Sequence, residues 1–294
     1  ISVAHSTMEE VMAQSFDEKG SEAGGYVLEF DGTDDYVEIA DNPSLDFGSG
    51  TSFSISFWAH PSTWVQEGKY ILDKTDGAGL GYSISIVTGG GADLQLKFRI
   101  RGDLAAIDVN TASDALDGLE NEWHQYEITC DRNGNAQWYI DSSTSGSAVS
   151  ISGAGNIDNS STLTIGSENT PGNYFDGKID EVQIWNIVRT ATEINKSGIT
   201  NPYAESNLKL YLRMNNGTGT VAFDHSSSMA HGTITNSAAS IWSSQSSSWS
   251  ITLGTDGEAS WSNYDDVDDF NSATAVPDDI YYDAVAKAGI TKTI

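Results

Sequence analysis

Short segments in which apolar and polar residues alternate with a period of two run through most of this chain. Clear examples lie at 53–57, 82–86 and 94–101. Such alternation places apolar side chains on one face of a β-strand and polar side chains on the other. Turn-forming residues such as those at 131–134 separate the segments. Many short strands at this spacing predict an all-β, antiparallel sandwich or barrel.

The charge of the chain excludes several classes of partner. The sequence holds 14 Lys and Arg against 42 Asp and Glu, a formal net charge of −28. A field of this sign repels phosphate and anionic lipid and attracts cations, so nucleic acid is not an expected partner. Such acidity is typical of proteins in salty or calcium-bearing fluid. We therefore expect an extracellular or cell-surface location.

Cysteine content and hydropathy limit the disulfides, metal clusters and membrane-spanning helices that the chain can form. Cys130 is the only cysteine, so the chain forms no intrachain disulfide and has no Cys-based metal cluster. It lies in an apolar alternating stretch, where we expect a buried small side chain. No run of about 18 apolar residues is present that would predict a transmembrane helix.

Changes in periodicity divide the chain into three predicted regions. Apolar residues recur at helical spacing within 1–19, which predicts one N-terminal α-helix that ends at the Gly-rich stretch 20–25. A Ser-rich stretch at 236–250 is linker-like and precedes an acidic region. The predicted regions are the helix and Gly-rich linker at 1–25, the β domain at 26–237, and the Ser-rich linker with its acidic C-terminal extension at 238–294.

One strand is predicted to contain a β-bulge. The alternation slips by one residue around Asp180 and Glu181, because Ile179 and Val182 have opposite parity. A bulge at this position would turn a carboxylate away from the direction that a regular strand gives it.

Several segments together resemble the laminin-G-like, concanavalin-A-like jelly-roll modules of bacterial surface proteins. They are YVLEFDGTDDYVEIADNPSLDFGSGTSFSISFWAHP, NEWHQYEITCDRNGNAQWYID, STLTIGS and YFDGKIDEVQIWN, in that order, within about 26–200. The resemblance implies an antiparallel jelly-roll sandwich. The segment 211–237 also resembles part of this family, and it either closes the first module or begins an incomplete second one.

A second resemblance concerns the two ends of the chain. Residues 6–19 and 264–272 are similar to parts of pilin-like proteins related to minor pilins of the mannose-sensitive haemagglutinin type. This similarity implies self-assembly into an extracellular filament that displays the jelly roll.

The jelly-roll resemblance implies a structural calcium ion between the first and last strands. Calcium takes six to eight oxygen ligands, and a bulge or turn supplies free carbonyls. Asp180 is the favoured ligand, followed by Asp31 and Asp34. The alternative for Asp31 and Asp34 is that they only form Asx turns in FDGTDD.

The acidic run near the C-terminus is a candidate for a second calcium site. Asp266, Asp268 and Asp269 are its candidate ligands, together with neighbouring Asp265 and Asn271. The spacing lacks the glycine and closing glutamate of an EF-hand loop. The alternative is a solvated acidic loop.

Candidate ligand-binding residues come from exposed aromatic and basic positions. Trp64 follows the FSISFW strand, and Tyr82, Arg99 and Arg101 lie on strands that could form a concave face. Such side chains can stack on sugar rings and bind hydroxyl groups. The alternative for each is ordinary surface packing.

The expected function is binding of a glycan or surface protein by a calcium-stabilised module of an adhesive protein. A glycoside hydrolase of the same fold would need two carboxylates about 5–5.5 Å apart for retaining cleavage. The strand motif E-x-D-x-x-E, which would supply them, is absent, and no catalytic residue or redox cofactor is predicted. The five histidines also show no pattern of a catalytic triad or zinc site.

Overall fold

A computed structural model describes residues 26–63, 67–89, 93–194, 202–235 and 241–244. Several predictions lie outside these residues. They are the N-terminal helix over 1–19, both pilin-like segments, Trp64, and the second calcium set Asp266, Asp268 and Asp269.

The described residues form two antiparallel sheets with very little helix, as the alternating pattern predicts. In the first sheet the order is β10 (Ser143–Ser150), β9 (Asn135–Ile140), β8 (His124–Cys130), β3 (Phe53–Pro61), β12 (Asp176–Trp185), β1 (Tyr26–Asp31) and β16 (Trp242–Ser244), and β13 (Leu208–Leu212) also pairs with β12. In the second sheet the order is β14 (Val221–Ala222), β15 (Gly232–Thr235), β2 (Tyr36–Ile39), β11 (Leu163–Ile165), β4 (Tyr70–Thr75), β5 (Gly81–Thr88), β6 (Leu94–Arg101) and β7 (Ala106–Asn110).

Helical structure is confined to single turns in the described part of the chain. One α-helical turn spans Ala191–Ile194, and two 3-10 turns span Pro43–Leu45 and Pro202–Ala204. No helix among the described residues has the length and apolar character needed to cross a membrane.

The core lies between the two sheets and is filled by the apolar positions of the alternating segments. Phe53 stacks on Phe47 with ring centroids 4.4 Å apart. The Trp138 indole is fully buried and donates a hydrogen bond to the Val109 carbonyl at 2.8 Å. Cys130 is buried as a free thiol. Interdigitation of inner-face side chains is how two sheets of a sandwich form one core.

The predicted bulge in β12 is confirmed. Asp180 is opposite Trp58 on β3, but the next aligned pair is Gln183 with Ser56, so the pairing register shifts between them. Glu181 has φ +51°, the left-handed conformation that an L-residue adopts only rarely. The bulge separates two halves of β12, which pair with β1 and with β13 on the same side.

The segment that follows β12 adds strands to both existing sheets. β13 pairs with β12 in the first sheet, whereas β15 pairs with β2 and carries β14 at the edge of the second. Residues 208–235 therefore extend the sandwich that begins at Tyr26.

Candidate functional site

The turn between β1 and β2 gathers three carboxylates. It begins at Asp31, whose Oδ1 accepts a hydrogen bond from the Thr33 amide at 2.8 Å. Gly32 has φ +73°, and a Cβ at this position would lie 2.9 Å from the Cβ of Asp176 on β12. Glycine is therefore required both by the turn and by the close approach of β12. Asp35 turns back and accepts a hydrogen bond from the Asp31 amide at 3.0 Å.

Asp31, Asp34 and Asp35 form what we call the acidic cluster. One carboxylate oxygen from each residue lies within 4.8 Å of the other two. Asp35 is only 1% exposed, and neither its Oδ1 nor the buried Oδ1 of Asp34 has a hydrogen-bond partner. Burial, together with the charges of Asp31 and Asp34, raises the pKa of Asp35 to about 6 despite the hydrogen bond from the Asp31 amide.

The donor set of the acidic cluster fits a hard divalent cation. Calcium binds carboxylate and carbonyl oxygens and tolerates irregular geometry. An unpartnered buried carboxylate is costly unless a cation or a proton neutralises it. The two unpartnered oxygens of Asp34 and Asp35 are therefore the atoms that a cation would satisfy.

The structure brings Asp31 and Asp34 together but places Asp180 elsewhere. Asp31 is opposite Asp176 on β12, four residues before Asp180. The Asp180 carboxylate accepts a hydrogen bond from the Glu181 amide at 2.9 Å within the bulge. Burial and the neighbouring charge of Glu181 raise the pKa of Asp180 well above its usual value.

Asp35 is the acidic-cluster residue that sequence reasoning missed. Its carboxylate lies inside the turn because Asp35 immediately precedes β2. The Asp34-Asp35 doublet ahead of the alternating YVEI segment was the available signal, since one of two adjacent side chains at a strand start points inward.

The second candidate surface is the outer face of the second sheet, where two small residues lie between larger ones. On β5, Ser83 and Ser85 are only 4% and 3% exposed. Ser85 is opposite Tyr70, and Ser83 is opposite Asp73, both on β4. The hydroxyls of these serines make no hydrogen bond to any described residue. We call this surface, with Ser83 and Ser85 of β5 as its floor and Tyr70 and Asp73 of β4 as one wall, the serine trough.

The β4 wall of the serine trough is aromatic and acidic. Tyr70 is half-buried, and burial followed by the charges of Asp73 and Glu168 raises the pKa of its phenol. Asp73 Oδ2 accepts a hydrogen bond from the Asn169 amide at 2.9 Å. Burial raises the pKa of Asp73 to about 6, against hydrogen bonds from Asn169 and Thr75 that lower it.

The opposite wall of the serine trough is basic. Lys97, Arg99 and Arg101 occupy alternate positions of β6, so all three project from its outer face. Lys97 is opposite Ser85, and Arg99 is opposite Ser83. We call these three residues the basic stripe. Arg99 forms a two-pronged ion pair with Asp108 on β7, with N–O distances of 2.7 and 2.8 Å.

Tyr82 does not belong to this surface. Its side chain is 1% exposed and faces the core, where the hydroxyl donates a hydrogen bond to the Leu45 carbonyl at 3.1 Å. The period of two explains the correction, because Tyr82 is opposite Ile100 and therefore faces away from Arg99 and Arg101. Arg99 and Arg101 are exposed on this face.

The outer face of the first sheet is partly covered by the segment that follows β12. Ser54 on β3 donates a hydrogen bond to the Ile187 carbonyl at 2.9 Å and accepts one from the Arg189 amide at 3.0 Å. The Arg189 guanidinium binds the buried carboxylate of Glu127 at 2.8 Å and lies over the Trp185 ring. This part of the first sheet is closed to a ligand.

A family model described as the concanavalin A-like lectin/glucanases superfamily matches residues 31–195, more than half of the chain. Curated proteins yield no match to this sequence.

Several solved structures are similar to this chain at low sequence identity. A proposed carbohydrate binding protein from Bacteroides ovatus ATCC 8483 is 19% identical with a TM-score of 0.58, and the alignment covers 76% of this chain and 61% of that one. The chain thus spans less than two thirds of that protein. The binding domain of botulinum neurotoxin serotype G is 19% identical with a TM-score of 0.43, covering 54% and 39% of the two chains. A SAP-like pentraxin from Limulus polyphemus is 12% identical with a TM-score of 0.46, covering 63% and 90%.

Proposed function

The chain belongs to the concanavalin A-like lectin/glucanase superfamily, and from this premise we propose that its jelly roll is a glycan-binding module. The serine trough is the proposed ligand surface. The observation that carries this assignment is that Ser83 and Ser85, whose hydroxyls have no described partner, lie between an aromatic and acidic wall and a basic wall.

The chemistry of the trough suits a sugar chain. Sugar hydroxyls need donors and acceptors, which the two serines and Asp73 provide. Tyr70 offers an apolar ring with a polar tip, a combination that is common where one side of a ligand is apolar and the other is hydrated. The Bacteroides protein of the same fold is described as carbohydrate binding, which supports the proposal.

A variant that fills the trough tests the assignment. Ser85→Tyr should abolish binding to any glycan that wild type binds, whereas Ser85→Ala should weaken it modestly by removing one hydroxyl. Thr144→Tyr is the matched control, because Thr144 is exposed on β10 of the first sheet. Binding would be measured on a glycan array and then by calorimetry. Equal binding by Ser85→Tyr and wild type would reject the trough.

We also propose that Asp31, Asp34 and Asp35 hold a calcium ion that stabilises the turn between β1 and β2. When bound, the ion would supply positive charge to the unpartnered oxygens of Asp34 and Asp35. The Asp35 and Asp31 carboxylates are already held in place by hydrogen bonds from the backbone amides of Asp31 and Thr33, respectively. A preformed oxygen set reduces the entropy that ligand ordering would cost.

Binding without catalysis is the proposed mode of action. The superfamily also contains glucanases, so the alternative is a glycoside hydrolase. The sequence lacks the E-x-D-x-x-E strand motif that would supply two catalytic acids. Incubation with each bound glycan should therefore release no new reducing ends. Their steady release, abolished by a trough substitution, would establish the hydrolase instead.

The proposed setting is an adhesive protein at the cell surface or outside the cell, with the glycan or a surface protein as its partner. Assembly into a pilin-like filament depends on residues 6–19 and 264–272 and stays a prediction.

A further inference from the structure

The basic stripe is unusual for a chain of this composition. The sequence has 14 Lys and Arg in 294 residues and a net charge of −28, yet Lys97, Arg99 and Arg101 share the outer face of one strand. Cations placed at random in such a chain would rarely occupy three alternate positions. Their common direction follows from the period of two.

Two of the three cations are available to a ligand. Arg99 is paired with Asp108, but neither the Lys97 ammonium nor the Arg101 guanidinium has a hydrogen bond or ion pair with any described residue. Lys97 is half-buried, and burial followed by the charge of Arg99 lowers its pKa. An anion beside Lys97 would relieve both effects, because it stabilises the charged amine.

Arg101 lies at one end of the same surface. Its guanidinium packs over the turn between β4 and β5, where a Cβ added to Gly79 would lie 3.2 Å from Nη1. Lys97 and Arg101 are four residues apart on a strand that rises about 3.4 Å per residue, so their Cα atoms are separated by roughly 14 Å. This separation exceeds one sugar ring and suits a chain that presents acidic groups repeatedly.

From this arrangement we infer that the serine trough selects acidic polysaccharides, whose carboxylate or sulfate groups bind the basic stripe. The inference rests on the proposed glycan-binding function and specifies its ligand class. The stripe acts at short range. The Debye length is about 8 Å at physiological ionic strength, so more distant carboxylates are screened whereas direct contacts with Lys97 and Arg101 persist.

Paired polymers that differ only in charge provide the test. Polygalacturonate would be compared with its methyl ester, alginate with its propylene glycol ester, and dextran sulfate with dextran, all at physiological ionic strength. In at least one pair the acidic member should bind wild type about tenfold more tightly, which is the effect of one charge-assisted hydrogen bond. The double variant Lys97→Gln with Arg101→Gln should remove that preference.

Lys209→Gln is the control, because Lys209 is a cation on β13 of the first sheet. It should leave the preference intact, and melting temperatures should show that all variants are folded. Equal binding of both members of every pair would overturn the acidic ligand class. An equal loss of affinity for the acidic and the uncharged member in the double variant would also overturn it. If only uncharged glycans bind, and their binding depends on the serine trough, the acidic ligand class is overturned but the proposed glycan-binding function stands. Binding of no glycan at all would overturn both.

Discussion

Replacement of Asp35 by asparagine should have opposite effects with and without calcium. Asparagine keeps an oxygen that accepts the hydrogen bond from the Asp31 amide, so the turn is retained. The substitution removes one negative charge from three carboxylates whose oxygens lie within 4.8 Å of one another. Because Asp35 has a pKa of about 6, it is ionised at pH 7.5 in the absence of a cation.

The distances in the acidic cluster set the size of the expected effect in chelator. Two unit charges 4.8 Å apart repel by about 0.9 kcal/mol at a dielectric constant of about 80 and by about 3.5 kcal/mol at about 20. Asp31 is exposed and Asp34 half-buried, so the lower value is the appropriate one. Loss of two such repulsions should stabilise Asp35→Asn by about 1–2 kcal/mol in chelator.

Saturating calcium should reverse the order of stabilities. Wild type should gain about 4.1 kcal/mol at a calcium concentration one thousandfold above Kd. Asp35→Asn offers a neutral amide where wild type offers a charged ligand, so its gain should fall below about 1 kcal/mol at the same concentration. The variant is then the more stable protein in chelator and the less stable one in calcium.

Urea unfolding at pH 7.5, with chelator and with calcium, measures both values. Glu205→Gln is the control for net charge, because Glu205 is exposed and lies outside the acidic cluster. Its free energy of unfolding should differ little from that of wild type in either condition. Equal destabilisation of Asp35→Asn in both conditions would refute the argument, since Asp35 would then have only a structural role in the turn.

Three further predictions concern the sandwich itself. Lys74→Met should cost about 1–3 kcal/mol in urea unfolding, because it removes the buried ammonium that lies 3.2 Å from the partly exposed carboxylates of Asp41 and Asp46; an unchanged midpoint would contradict this role. Burial raises the pKa of Glu127 to about 7, so the folded state retains its proton more strongly than the unfolded chain, and this contribution to stability is lost as pH rises from about 4.5 through 7. Glu127→Gln should flatten that dependence in melting curves across the same pH range, and an unaltered slope would refute the assignment. Gly177→Ala should unfold the protein or lower its melting temperature strongly, because Gly177 has φ +140° and an added Cβ would lie 2.7 Å from the Pro61 Cα; a melting temperature equal to that of wild type would contradict this.

Much of the sandwich could be predicted because strand periodicity is a local property of the sequence. The alternating segments became β3, β5, β6 and β8, and the slip in parity at Ile179–Val182 became the bulge of β12. Alternation also specifies which face each residue occupies. Tyr82 shares the parity of the core residues Ile84 and Ile86, so the same pattern places it in the core and not on the ligand face.

The candidate sites were harder to predict from the sequence, because they depend on contacts between segments that are distant in sequence. The family resemblance favours Asp180 as the leading calcium ligand, but pairing of β1 with β12 places Asp176 opposite Asp31. The register between two strands about 150 residues apart in sequence has no local signal. The serine trough likewise depends on the order β4-β5-β6, which places Tyr70, Ser85 and Lys97 side by side.

The most direct test of the glycan-binding proposal is a titration of the isotope-labelled protein with the tightest ligand from the glycan array, followed by amide chemical shifts. The account predicts that the largest changes map to Tyr70, Asp73, Ser83 and Ser85, extend to the basic stripe for an acidic ligand, and vanish in Ser85→Tyr. Changes confined to the first sheet, or persisting in Ser85→Tyr, would contradict it.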